Sequence, residues 1–306
     1  MDVVRARWSS SSFLVYAGAF VVLFATVTLL GWFSSDYSDG AFFGWSALVF
    51  AVLAVIAVAF ETAGHRVSAG LFALISLVSF TVFFGAFEDW IDILHAGDGP
   101  FEGFRWGLLL LDLVIVMAAL ILLARFHFPL LVLAATAVSW FFLVDLVSGG
   151  GDWSAVVSII VGFFLLLIGA GVDRIYGFWV HFVAAFAIGG GFLYLWHSAN
   201  WEWILIGIIA LFYFLLAGGL DRSIYAALGA LGLYLAWSHF VDKWTDTSVS
   251  PPFFFGESLS PGLSQEGGDS SVWGAALLYV LYGFVVLGIG LWLERRRPAQ
   301  SSELPT

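Results

Sequence analysis

Residues 165–240 read LLLIGAGVDRIYGFWVHFVAAFAIGGGFLYLWHSANWEWILIGIIALFYFLLAGGLDRSIYAALGALGLYLAWSHF. The stretch is almost wholly apolar, and its few charges fall at regular breaks. Gly171-Val172-Asp173-Arg174 returns as Gly219-Leu220-Asp221-Arg222, and Tyr194-Leu195-Trp196-His197-Ser198 is echoed by Tyr234-Leu235-Ala236-Trp237-Ser238-His239. Each unit is an apolar run, an Asp-Arg break, a second apolar run and a Trp/His/Ser break. Apolar runs of about 20 residues match the hydrocarbon thickness of a bilayer. The repeat therefore reads as a transmembrane helical hairpin, and the rest of the chain continues the pattern.

Composition agrees. The hydrophobic fraction is 61% and only 11% of residues are charged, and the mean hydropathy is +1.00. A soluble domain is roughly 45–50% apolar, and 306 residues cannot hide this excess from water. Strands of a membrane barrel would alternate in polarity over about 10 residues, and these runs do not. The expected fold class is thus an all-α integral membrane protein, one polytopic domain over 1–306, with about ten helices built largely from tandem hairpins. The spans are expected at 13–33, 42–61, 67–87, 106–124, 128–147, 153–172, 175–197, 201–220, 223–241 and 273–293, with longer links at 88–105 and 242–272. The first apolar run exceeds the 7–15 residues of a signal-peptide core and no small-x-small site follows it, so it reads as a retained span.

Ten spans in 306 residues resembles the layout of the drug/metabolite transporters in length and span count. Those proteins repeat a five-helix unit, whereas the repeat here is a two-helix hairpin, so no function is carried over.

The signs of charge are segregated. Ten spans place both termini on one side, together with Arg5, Arg7, Arg66, Arg125, Arg174, Arg222, Arg295, Arg296 and Arg297; only Arg105 and Lys243 fall on the other. By the positive-inside rule both termini are cytoplasmic, and the location is a plasma (inner) membrane. The opposite face collects Asp36, Asp39, Glu88, Asp89, Asp92, Asp98, Glu102, Asp152, Glu202, Asp242, Asp246, Glu257, Glu266 and Asp269, with most of the tryptophans. Indole favours the headgroup level. No basic tract suits nucleic acid. No cysteine is present, which excludes disulfides, thiolate metal sites and thiol nucleophiles.

Ionisable side chains inside spans are costly and face the bundle or water, so they are the default candidates. Asp112 is the most unusual, about six residues or roughly 9 Å beyond Trp106 at 1.5 Å per residue. Arg105, seven residues before it, can reach down to neutralise it; the alternatives are a proton- or ion-coupling acid and a shallow water-exposed one. Asp145 lies near the end of the fifth span, with an interfacial or a coupling role. His181 shares its helical face with Gly177, Ala184, Ala185 and Gly189. Small residues admit a neighbouring helix, so His181 should point into the bundle, as a packing histidine or a proton relay. The run Gly189-Gly190-Gly191 either loosens the seventh span into a broken helix or packs against a neighbour.

In the first long link, Glu88, Asp92 and His95 fall at i, i+4 and i+7. They read as the polar face of an interfacial helix, or as weak ligands for a divalent cation. Asp173, Arg174, Asp221 and Arg222 read as structural inner-face pairs, the acids capping helix N-termini and the arginines snorkelling to phosphates. The second link, with Pro251-Pro252-Phe253-Phe254-Phe255, reads as a flap or a docking loop. His197 and His239, beside tryptophans, read as interfacial.

No Walker loop, His-Glu-x-x-His or Gly-x-Ser-x-Gly occurs, no two histidines share a depth for haem, and Ser139 and His181 lie in different halves of the bilayer. No cofactor is expected. The partners expected are the lipid bilayer, a small-molecule substrate and a membrane-protein partner. The leading reading is a small-solute or ion transporter whose cavity opens to the acidic face. A non-catalytic scaffold or accessory subunit is the alternative, and an intramembrane enzyme acting on lipid comes third because no catalytic constellation converges.

Overall fold

The computed structural model describes residues 10–93, 106–147, 151–220, 222–245, 247–249, 263–265 and 269–296. Ten helices dominate: α1 Ser10–Asp36, α2 Asp39–Thr62, α3 Arg66–Trp90, α4 Trp106–Phe126, α5 Pro129–Val147, α6 Asp152–Gly171, α7 Arg174–Leu195, α8 Asn200–Leu220, α9 Ser223–Thr245 and α10 Asp269–Arg296. Each contains a segment long and apolar enough to cross a membrane. The chain is an all-α, multi-pass membrane protein. Between α9 and α10, β1 (Thr247–Val249) and β2 (Leu263–Gln265) pair antiparallel, with Ser248 opposite Ser264. Residues 251–255 of the proposed flap lie outside the described residues.

The helix ends fall where the charge breaks predict, because a charged or Gly-rich link is the cheapest place to leave the hydrocarbon. Exposed tryptophans mark these ends: Trp32, Trp45, Trp90, Trp106 and Trp153 in the first half of the chain, Trp201 and Trp244 in the second. The long exposed aliphatic surfaces, such as Leu14, Val55, Leu167 and Leu277, have lipid as their solvent.

The chain divides into two compact units, 1–187 and 188–306. In the first, α3 is the central helix and packs against α1, α2, α4 and α5. Its sequence makes this feasible. Ala69, Gly70, Ala73, Ser76, Ser79 and Ala86 are all buried, and small side chains allow close helix approach where no hydrophobic force draws helices together. The buried hydroxyls are satisfied within the helix: Ser76 Oγ donates to the Ala73 carbonyl at 2.8 Å and Ser79 Oγ to that of Ile75 at 3.1 Å. One core gathers Ala19, Leu53, Ala57, Leu71, Ala73, Ile75, Phe128 and Leu131. Toward the Trp90 end an aromatic ladder takes over, with Phe50 stacked on Phe83, Phe83 on Phe43, and Phe43 on Trp90 at 5.3 Å and 9°.

In the second unit α8 and α9 pack closely, and α10 lies against α9. A Cβ on Gly229 would sit 2.9 Å from the Ala210 carbonyl oxygen, so only glycine permits this α8–α9 approach. The α9–α10 contact is tied reciprocally. Trp237 Nε1 donates to the Leu278 carbonyl at 3.1 Å, and the Tyr282 hydroxyl donates to that of Ala230 at 2.8 Å. Tyr282→Phe is expected to cost about 1 kcal/mol, read as a lower unfolding midpoint in denaturant titration; an unchanged midpoint would show that this bond holds nothing.

Candidate functional site

Glu88 lies in the last full turn of α3 and is completely buried, at 0% exposure. Neither carboxyl oxygen has a hydrogen-bond partner. This placement corrects the expected interfacial helix starting at Glu88. The transmembrane helix itself runs on to Trp90, and the next residues leave it: Asp92 is exposed and takes φ 60°, in the left-handed region. Glu88 and Asp92 therefore do not share a helical face. His95 lies outside the described residues. Among the described residues no three His, Cys, Asp or Glu side chains are grouped so that they could hold a metal ion.

Glu88 lies within electrostatic reach of Asp112. Asp112 sits on α4, half-buried, with Oδ2 shielded from solvent and lacking a hydrogen-bond partner. Its carboxyl lies close enough to that of Asp145, on α5, for the two to share a hydrogen bond. A carboxylate only accepts hydrogen bonds, so such a bond requires a proton on one of the two. Asp145 itself is exposed, two residues before the end of α5. Three helices thus bring together a graded series: Asp145 exposed, Asp112 intermediate, Glu88 buried. Arg105, the expected neutralising partner of Asp112, lies outside the described residues.

His181 lies on α7. It is 1% exposed and fills the space above Gly169 of α6, where a Cβ would meet its ring at 3.1 Å. The run Gly189-Gly190-Gly191 does not break α7, which is one helix from Arg174 to Leu195. Gly189 instead makes room for Tyr213, whose hydroxyl would lie 3.2 Å from an added Cβ. Asp173 and Arg174 are exposed at the start of α7, and the Asp173 carbonyl accepts from the Gly177 N–H at 2.7 Å. Arg222 is half-buried just before α9, and Asp221 lies outside the described residues. His239 stacks on Trp203 at 4.7 Å and 12°, and its Nε2 is 3.1 Å from Asn200 Oδ1. His197 Nδ1 is 2.8 Å from the Tyr194 carbonyl.

Two further carboxylates have structural partners. Glu202 Oε2 accepts from the N–H groups of Ser198 and Ala199, at 2.7 and 2.8 Å, and so closes the start of α8. Glu202 thus takes the third helical position of a capping box, with Ala199 where a Ser or Thr would usually stand. Glu61 Oε2 meets Arg125 Nη2 at 3.0 Å, joining the C-terminal ends of α2 and α4. With the Arg125 side chain 59% exposed, Arg125→Ala is expected to lower stability by no more than about 1 kcal/mol, with the loss shrinking further at high salt in the same unfolding assay.

Between α8 and α10 lies an apolar groove of 590 Å³, bounded by Ile208, Phe212, Leu215, Val285, Ile289 and Trp292 among others. Apart from the Trp292 indole its lining offers no polar side chain, so it provides no means of orienting a polar solute. The carboxyl series remains the feature with chemistry. No family model matches the chain, and neither a curated protein nor a solved structure matches it.

Proposed function

We propose that the protein is a small-solute or ion transporter driven by a coupled cation, with the Glu88–Asp112–Asp145 series as its coupling site. The single observation that supports this is Glu88, a carboxyl buried without any partner inside a membrane-spanning helix. Leaving a polar group unpaired in an apolar interior costs roughly 2–7 kcal/mol. A passive scaffold gains nothing from that cost. Acids inside spans mark ion pathways and proton relays, and here the series reaches from an exposed helix end to a buried one. A cavity opening at this acidic end is part of the reading.

The test is flux in proteoliposomes. Wild-type protein should accumulate a solute from a library of metabolites only when a proton or sodium gradient is imposed, and Asp112→Asn should abolish accumulation. Protein-containing and empty vesicles behaving alike, with a second membrane protein co-purifying at fixed stoichiometry, would give the scaffold reading the lead.

The reading also places both termini in the cytoplasm of a plasma (inner) membrane, with the acidic ends outward. Nine of the eleven Lys and Arg residues on one side of the chain support it. A tandem α6–α7 and α8–α9 duplication, supported by the matching Gly-x-Asp-Arg breaks, completes it. Because the chain has no cysteine, single substitutions report cleanly. An impermeant maleimide is expected to label Ser38→Cys in intact cells and Ala63→Cys only after lysis. The opposite pattern would invert the topology.

A further inference from the structure

We propose that Asp145, Asp112 and Glu88 form a proton relay, running from the exposed end of α5 to Glu88 as the buried terminal acceptor. The inference rests on the transporter reading for its purpose, and it names the coupled ion and its route.

Three observations carry it. The first is the order of exposure. Asp145 is exposed two residues from the end of α5, Asp112 is half-buried and Glu88 is completely buried. The second is the juxtaposition of Asp145 with Asp112, and of Asp112 with Glu88. A proton placed on either member of the Asp145–Asp112 pair can pass to the other. The third is the unpartnered Glu88. Both oxygens are shielded from solvent and accept nothing from the protein, so a proton delivered there has a vacant acceptor.

A metal ion fits less well. Hard cations such as calcium take about 6–8 oxygen ligands, and no described grouping of three acidic or imidazole side chains could hold one. The elements packed around Glu88 add little that could compete. At its level α2 presents Phe43, tilted against Phe87 and stacked on Trp90. Asp36 at the end of α1, Asp39 at the start of α2 and Asp152 at the start of α6 are exposed. Asp89, next to Glu88, is half-buried and has an interaction of its own. Among the described residues of the first unit, no Lys, Arg or His sits at this end; Lys243, His197 and His239 belong to the second unit. Arg66 opens α3, about 33 Å from Glu88 along the helix, and Arg125 lies about 20 Å from Asp112 near the far end of α4, at 1.5 Å per residue. Every described charged group of the first unit at this end is therefore an acid.

Each transfer is balanced. A hydronium ion gives its proton to the Asp145 carboxylate and leaves as water; the O–H bond of Asp145 breaks as one forms on the Asp112 carboxylate; the same exchange then passes the proton to the Glu88 carboxylate and leaves Asp112 ionised again.

Infrared difference spectroscopy of the full chain in lipid nanodiscs tests the relay directly, because a protonated carboxyl has its own C=O stretch. Acidification of wild-type protein should raise such a band, and Glu88→Gln should remove it. On transfer to deuterated water, the band's isotope shift should be slower by about a hundredfold in Asp145→Asn, the lower end of what a positioned proton-transfer group contributes. Asp145 is exposed, so this variant keeps the test alive if Glu88→Gln folds poorly. An unchanged carboxyl spectrum in folded Glu88→Gln overturns the relay, as does loss of the band on adding sodium at constant pH. Solute flux with that unchanged spectrum would leave the transporter standing without the relay. The Glu88 band and its slowed exchange, in a protein that moves no solute, would support the relay and defeat the transporter.

Discussion

Glu88→Leu is expected to stabilise the folded protein by about 1–3 kcal/mol, the desolvation cost of an unsatisfied buried polar group, while ending coupled flux. The substitution exchanges an unpartnered carboxyl for an aliphatic side chain of similar size. The site receives it well: Ala86 is buried beside it on α3, and the Phe84 and Phe87 rings lie 6.0 Å apart around the same turn. Denaturant unfolding in mild detergent, followed by tryptophan fluorescence, reads the stability. A gain in stability joined to a loss of function is the signature of a group retained for its chemistry. A loss of stability by more than about 1 kcal/mol would mean that the carboxyl contributes a favourable interaction, comparable to a net hydrogen bond, and would remove the main support for the coupling site.

Gly70→Ala is expected to destabilise by about 1–3 kcal/mol, the usual range for overpacking a filled core. The added methyl would lie 2.7 Å from both Cβ and Cδ2 of Phe128 and would meet Cγ as well. Phe128 cannot swing aside easily. It is 4% exposed and belongs to the core with Ala73, Ile75 and Leu131. It also sits between two fixed points, His127 at φ 50° and Pro129 at the start of α5. Alanine would otherwise favour the helix by about 1 kcal/mol over glycine, so the net loss measures the collision. A double-mutant cycle identifies the partner. Phe128→Leu relieves part of the clash, and the pair should fall short of additivity by about 0.5–3 kcal/mol. Simple additivity would show that the two residues do not meet as described.

The transmembrane architecture was legible because one physical requirement dominates it. Backbone polar groups must be satisfied inside hydrocarbon, so apolar runs become helices and charges gather at their ends. Every span was readable in that way, from Ser10–Asp36 to Asp269–Arg296. The carboxyl series was legible only in part. Asp112 and Asp145 stood out as acids in or near spans. Glu88 did not, because the first cluster of acids after the third run looked like the start of a link. A helix of 25 residues spans about 37 Å, enough to carry Glu88 within it. The convergence itself was not readable, since it depends on how α3, α4 and α5 are rotated against one another. The triglycine was left open between two readings for a related reason. Glycine permits either a break or a close approach, and the Tyr213 ring decides for the approach.

The tie between α9 and α10 has a consequence for handling the protein outside its membrane. Much of the described surface of α10 is exposed, from Leu277 to Leu291, and one hydrogen bond in each direction ties it to α9, Trp237 donating to the Leu278 carbonyl and Tyr282 to that of Ala230. Such bonds are strong where water is scarce and weak where it can compete. Short-chain detergents, which admit water between helices, will therefore release the last helix before the others loosen. Protease will then trim the chain near residue 269 while the α8–α9 pair stays intact, and long-chain detergent or added lipid will suppress the cut.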